Sequence, residues 1–329
     1  MRAPTLVVAL LLSLVAISAA AQDRRGATPP RALLRQLFAD LEEDSDFKLR
    51  GIDSLAAGIF VEREDFNDDG EREWVIEGTR FCGSNCERWI YRRLSNGRYA
   101  QIHDGWGTGI GKRAERSHGW HHISLYVHMS AFDGPESIFV FDGRGYQWRE
   151  TLYRDSREGM EGDSAFIVYR TSVTPPDARG RRRLALDPVD AGGGLTISAV
   201  HDACATQTAR CSAPELRLTS PRLPDGRACV ALRIRIGWDR DSTVTTSTLC
   251  GVPTAARSPR GARTLVVRPT PMDWARMGVA ADFRLTGAAV PAKPEEYALQ
   301  GMRDFAAHLS GLYRLPCVPG YWCEDRGKN

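Results

Sequence analysis

Hydrophobic and polar positions recur along the chain with a period that changes, and the changes mark out the elements. From Arg31 to Phe47, the residues Leu33, Leu34, Leu37, Phe38 and Leu41 fall at helical spacing, which predicts an amphipathic helix. Pro29 and Pro30 stand just ahead of it, where proline is tolerated. Between Gly58 and Glu150 the period drops to two. Runs such as Gly58–Val61, Glu73–Glu77, Trp89–Tyr91, His122–His128 and Ser137–Phe141 are separated by Asp-Gly, Asn-Gly and other glycine turns. That pattern predicts a meandering antiparallel sheet. A second β-rich stretch carries Leu195–Ile197, Cys229–Ile236 and Thr264–Val267. Near the C-terminus, Pro294-Glu295-Glu296 opens a helix with negative charge in its first turn, favourable to the helix dipole. Met302, Phe305, Leu309 and Leu312 give that helix an apolar stripe that faces a core.

Residues 153–194 break this order. Pro175-Pro176, the run Arg179-Gly180-Arg181-Arg182-Arg183 and Ala191-Gly192-Gly193-Gly194 flank a weakly apolar stretch. Residues 156–194 are therefore expected to be an irregular linker, with the arginine run as a solvated loop. The fold expectation is mainly β (α+β). Two antiparallel β-rich domains, 31–155 and 195–329, carry an N-terminal and a C-terminal amphipathic helix and follow a flexible lead at 22–30. No repeat of about 20 to 50 residues is found, which argues against a full propeller or solenoid.

Residues 1–21 read as a removable export signal. Arg2 supplies the positive end, Leu6–Ile17 the apolar middle, and Ser18-Ala19-Ala20-Ala21 the small residues before a new N-terminus at Gln22. The apolar run is 12 residues, short of the roughly 20 that a spanning helix needs. No membrane span is expected after cleavage. With 42% hydrophobic and 26% charged residues, the composition is that of a globular protein and excludes disordered, collagenous and multi-span classes. The net charge of +3 includes Arg2, so the exported chain is nearly neutral and nothing suggests a nucleic-acid partner. The 44 basic residues are 40 arginines and 4 lysines, a skew that reads as a GC-rich genome and points to a bacterial envelope. The expected location is periplasmic or secreted.

Export gives the cysteine count its meaning. All eight lie beyond the signal: Cys82, Cys86, Cys204, Cys211, Cys229, Cys250, Cys317 and Cys323. Eight cysteines allow 105 connectivities, among which pairing of sequence neighbours staples each domain within itself. Zinc is the competing reading. The spacings lack the paired two-residue knuckles of zinc sites, and an exported compartment favours oxidation.

The most specific local feature is Asp65-Phe66-Asn67-Asp68-Asp69-Gly70-Glu71-Arg72-Glu73. Asp65, Asn67 and Asp69 place oxygens at alternate positions, Gly70 permits a sharp turn, and Glu71 offers its carbonyl. A hard cation prefers such a set, and calcium tolerates its irregular geometry better than magnesium does. The position where a calcium hand closes with glutamate is Ile76, so Glu73 is the expected closing carboxylate. The other reading is an acidic turn without metal, its side chains capping their own backbone. Asp68 falls at an outward position and is expected to be dispensable.

The Asp-x-Asn-x-Asp-Gly-x-x-Glu loop running into Trp74-Val75-Ile76 resembles the calcium loops of FG-GAP repeats, the blade units of integrin-like propellers. More broadly, residues 58–150 resemble exported bacterial proteins of unassigned function with a single Asp-rich loop. The shared features are that loop, the Cys82-Gly83-Ser84-Asn85-Cys86 turn before Trp89, and the closing Phe141-Asp142-Gly143-Arg144-Gly145-Tyr146. The resemblance implies a β fold for these residues and no particular activity.

Catalytic motifs are sparse. Five of the seven histidines lie between 103 and 128, and the segment 118–128 is a candidate metal-hydrolase site. On a strand, however, His122 and His128 would stand roughly 20 Å apart. No Gly-x-Ser-x-Gly elbow or Ser-x-x-Lys pair occurs. Gly105–Lys112 lacks Walker spacing and reads as a glycine-rich surface loop, with Trp106 and Trp120 as a possible ligand platform beside it. The leading expectation is an exported, non-enzymatic binding or structural protein of the envelope, calcium-braced, whose partner is a protein or envelope glycan. The alternatives are a metal-dependent envelope hydrolase and a secreted inhibitor of a hydrolase.

Overall fold

The structure, a computed structural model, describes residues 28–42, 51–79, 82–129, 133–155, 166–203, 212–237, 242–254 and 261–309, with the single positions 312, 315 and 318. It is mainly β, and its sheets are antiparallel. The chain divides into two compact units, Met1–Trp148 and Arg149–Asn329.

In the first unit, helices α1 (Arg31–Glu42) and α2 (Ile52–Ala56) precede a meander of β1 (Phe60–Glu64), β2 (Glu73–Glu77), β3 (Cys86–Arg93) and β4 (Tyr99–Gly107). Strands β5 (Ile110–Ser117), β6 (Trp120–Tyr126) and β7 (Asp133–Phe141) form a second antiparallel layer. The meander has apolar cover on both faces. On one, Leu33, Leu37 and Leu41 of α1 and Leu55 of α2 meet Trp74, Ile76, Trp89 and Tyr91. On the other, Val75, Ile90 and Ile102 meet Trp120, Ile123, Phe141 and Tyr146. This explains why Trp74-Val75-Ile76 is apolar without interruption: alternate side chains enter different cores. Each fully buried side chain of this size stabilises the fold by about 1.5–3 kcal/mol.

The end of β4 shows why Gly105 and Gly107 are needed, and it corrects the reading of 105–112 as a surface loop. Gly105 and Gly107 belong to β4. A Cβ on Gly105 would lie 2.7 Å from Leu125 Cδ2, and one on Gly107 would lie 2.6 Å from the Tyr126 carbonyl oxygen. Glycine here marks the close approach of β4 to β6. Arg88 locks the corner, donating from Nε to the Gly107 carbonyl at 3.2 Å while pairing with Glu77 at 2.6 Å.

Strand β8 (Tyr146–Asp155) passes across the division between the units. The second unit contains the order β15-β12-β11-β10-β9-β8, comprising β9 (Phe166–Val173), β10 (Arg182–Asp190), β11 (Thr196–Ala203), β12 (Glu215–Ser220) and β15 (Arg263–Val267). A separate three-stranded sheet holds β13 (Ala228–Ile236) between β14 (Thr243–Gly251) and β16 (Asp282–Thr286). Helix α3 (Pro271–Gly278) starts with a capping box. The Thr270 hydroxyl accepts from Asp273 N at 3.1 Å, and the Asp273 carboxylate accepts from Thr270 N at 3.0 Å. Helix α4 (Glu296–Leu309) buries Met302, Phe305 and Leu309.

Two strands, β9 and β10, occupy the segment expected to be an irregular linker. Leu184 and Leu186 point inward at strand spacing and are fully buried. The arginine run ahead of them is a turn and the start of β10. The Asp177 carboxylate organises that turn by accepting the N–H groups of Arg179 and Arg181 at 2.8 Å each. The N-terminal helix is described only to Glu42, and the rest of its expected span, to Phe47, lies outside the described residues.

Candidate functional site

The acidic loop is the β1–β2 connection, beginning at Asp65 and closing at Glu73, the first residue of β2. Its candidate ligands curl around the loop's own N–H groups. Asp65 accepts from Asn67 N at 3.3 Å and from Gly70 N at 2.9 Å. Asn67 accepts from Asp69 N at 3.1 Å, and Asp69 accepts from Glu71 N at 2.7 Å. Gly70 has φ 88°, the left-handed region that glycine enters without steric cost. Glu73 is buried and reaches back to accept the Phe66 N–H at 3.0 Å, closing the loop from below. Burial pushes its carboxyl up to about 7, reinforced by the charges of Asp69 and Asp65 and opposed by hydrogen bonds from the Phe66 and Glu73 N–H groups.

The oxygen set suits a hard cation in kind, and Asp65, Asn67, Asp69, Glu71 and Glu73 lie in one curl. Their oxygens are at the same time the acceptors that hold the curl shut. Among the described residues, the only three groups of His, Cys, Asp or Glu whose ligand atoms all lie within 4.8 Å of one another are Glu77, Cys82 and Cys86. The two cysteines of that trio are joined in a disulfide.

Asp68, expected to be dispensable, has three side-chain partners in this arrangement. It points outward, as expected, and carries the loop's anchorage. Its carboxylate binds Lys112 at 2.8 Å, His121 at 2.9 Å and Arg116. Lys112 also donates to the Asp65 carbonyl at 2.5 Å. Asp68 occupies φ 57°, a conformation that aspartate tolerates better than most residues.

The histidines do different work at different places. His118 sits at φ 49° beside Gly119 at φ 82°, and together they form the two-residue turn between β5 and β6. His121 contacts Asp68 through Nε2 and the Arg113 carbonyl through Nδ1. His103 is buried edge-on against Phe139, at 4.6 Å between ring centroids. His128 lies beyond β6, where its N–H donates to the Asn85 side chain at 2.8 Å. The candidate hydrolase segment therefore does not gather three ligands. The two tryptophans of the expected platform differ in exposure. Trp120 is buried and stacks on Phe141 at 4.4 Å, whereas Trp106 is 48% exposed.

Among the described residues two disulfides join sequence neighbours, Cys82 with Cys86 and Cys229 with Cys250. Cys204, Cys211, Cys317 and Cys323 lie outside the described residues, as does the expected export signal. Asn85, inside the smaller disulfide ring, had no signal in its local sequence. It donates to the His128 carbonyl at 3.0 Å and accepts that residue's N–H, so an amide side chain replaces a stretch of strand pairing. No helix among the described residues is long and apolar enough to cross a membrane. Disulfide-bonded cysteines and the lack of such a helix are compatible with an extracellular or periplasmic protein. Comparison with protein-family models, with curated proteins and with solved structures finds no match.

Proposed function

We propose that this is an exported, non-enzymatic binding or structural protein of the bacterial envelope, built as two disulfide-stapled β domains and braced by calcium at the Asp65–Glu73 loop. The observation that carries the calcium reading is the pre-curled loop itself. Alternate oxygen side chains face its interior, Gly70 makes the turn, and Asp68 is tied outward to Lys112, Arg116 and His121. The carboxylates of Asp65, Asp69 and Glu73, the amide oxygen of Asn67 and the Glu71 carbonyl would hold the ion, and the ion would supply positive charge to a crowded acidic curl. The resemblance to FG-GAP loops agrees with this reading. The separate structural duties of His103, His118, His121 and His128 favour a binding role over the hydrolase alternative.

Calorimetric titration with calcium tests the ion. Wild-type protein should give saturable heat and a rise in unfolding temperature, and Asp65→Ala and Asp69→Ala should abolish both. No heat and no thermal shift in the wild type would remove calcium from the reading. The partner is sought by capture from envelope extract on immobilised protein, with an acidic-loop variant as control.

A further inference from the structure

The three-stranded sheet of the second unit has one buried and one open face. Leu232, Ile234, Phe283 and Leu285 point into the core. On the other face, register sets Arg233 of β13 directly opposite Arg284 of β16, and Arg235 directly opposite Asp282. Like charges facing each other across an antiparallel pair repel. Such a pair is retained at a cost unless something negative lies between the two.

Among the described residues that compensation is small. Asp282 is the acidic residue lining the recess, and one of its oxygens is shared at long range, 3.8 Å from Arg235 Nη2 and 3.7 Å from Arg284 Nε. Arg233 forms no ion pair among the described residues. The Nε of Arg235 is shielded from solvent and has no acceptor among the described residues. A donor buried in this way normally has a partner. These four side chains and Val244 line a recess of about 180 Å³. Among the described residues, three guanidinium groups against one carboxylate leave it with two net positive charges.

We propose that this recess binds a phosphate monoester, clamped between Arg233 and Arg284 with Arg235 donating from the side. The charge decides the class. A phosphate monoester carries about −1.5 to −2 at neutral pH and presents three acceptor oxygens, which matches two net positive charges and three forked donors. A carboxylate carries half that charge and is satisfied by a single arginine fork. The near-neutral charge of the whole chain conceals this local concentration. The site lies in the second unit and does not depend on the calcium loop.

The test uses the full exported chain labelled with ¹⁵N, and follows the arginine Nε–H signals as inorganic phosphate, then glycerol phosphate, is added at constant ionic strength against chloride. Saturable shifts of the Arg233, Arg235 and Arg284 signals are expected. Arg233→Gln and Arg284→Gln should each weaken binding about tenfold, and Asp282→Asn should strengthen it several-fold. Arg233→Lys keeps the charge but loses the fork and should fall between wild type and Arg233→Gln. Amide spectra of each variant verify the fold. Vesicles containing phosphatidate separate the sources: co-sedimentation assigns a lipid-borne ester, and saturable shifts with glycerol phosphate but no sedimentation assign a soluble one. Shifts that do not saturate, that chloride reproduces, or that persist unchanged in Arg233→Gln and Arg284→Gln would overturn the proposal.

Discussion

The Asp68 carboxylate receives His121 Nε2 at 2.9 Å across 53 positions of the chain, tying the acidic loop to the start of β6. Both ring nitrogens of His121 face oxygens, Asp68 on one side and the Arg113 carbonyl on the other. The loop is held from outside by protein cations, whatever occupies its interior.

Asp68→Asn tests that anchorage. Asparagine tolerates the same positive φ, so the variant removes charge while leaving the backbone content. The site is partly exposed, and solvent screens the ion pairs. A loss of roughly 0.5–1 kcal/mol is expected, measured by denaturant unfolding and shrinking as salt rises. An unchanged midpoint at low salt would show that the three contacts do not stabilise the loop.

Gly107→Ala and Gly109→Ala form a matched pair. A methyl group at Gly107 meets the Tyr126 carbonyl oxygen at 2.6 Å and the Leu125 side chain at 2.8 Å; around Gly109 there is nothing within 4 Å. Gly107→Ala should cost about 1–3 kcal/mol by overpacking. Gly109→Ala should be nearly neutral. Equal thermal shifts in the two variants would contradict the close approach of β4 and β6.

His103 should make the protein sensitive to mild acid. Burial alone lowers its imidazole from 6.5 to about 4. The folded chain keeps it neutral while the unfolded chain takes up a proton below about pH 6.5. Its contribution to stability should therefore fall by up to about 3 kcal/mol as pH drops from 6.5 towards 4, while protonation of the Glu73 carboxyl, held at about 7, acts in the opposite sense over the same window. His103→Phe should remove the histidine contribution, so the stability difference between wild type and variant should change with pH across this window. A variant that parallels the wild type across the window would assign acid sensitivity elsewhere.

The two described disulfides should differ in weight. Cys229 and Cys250 are 21 positions apart, and Cys82 and Cys86 are 4 apart. Loop-closure entropy then gives about 3 kcal/mol for the first and about 2 kcal/mol for the second. Replacing each pair by alanine and comparing midpoints in guanidinium measures the ratio. The smaller ring is expected to matter more to the Asn85–His128 contact than to global stability.

Much of the architecture follows from alternation. Glu73–Glu77 forms a strand with the bounds its pattern predicts, and Cys229–Ile236 lies within β13. The errors have physical causes. Leu184 and Leu186 were obscured because charged turn residues and Pro188 surround them, although two inward leucines suffice to seat β10 on its neighbours. The glycines at 105 and 107 suggested looseness where they permit contact. An indole carries no local mark of burial, so nothing in sequence separated Trp120 from Trp106. Asp68 was legible as outward-pointing, but its three partners come from residues more than 40 positions away. The arginines of the open sheet face were likewise ordinary strand residues until register set Arg233 against Arg284.

Strand β2 has apolar cover on both faces, and its partners β1 and β3 fix its register on both sides. A slide by one residue would send Trp74 and Ile76 into the core meant for Val75, so the strand has no second position to adopt. The loop that ends in β2 is consequently a latch on a fixed frame and not a hinge. An occupant of that loop would change how long the first unit survives heat or protease while leaving its outline unaltered.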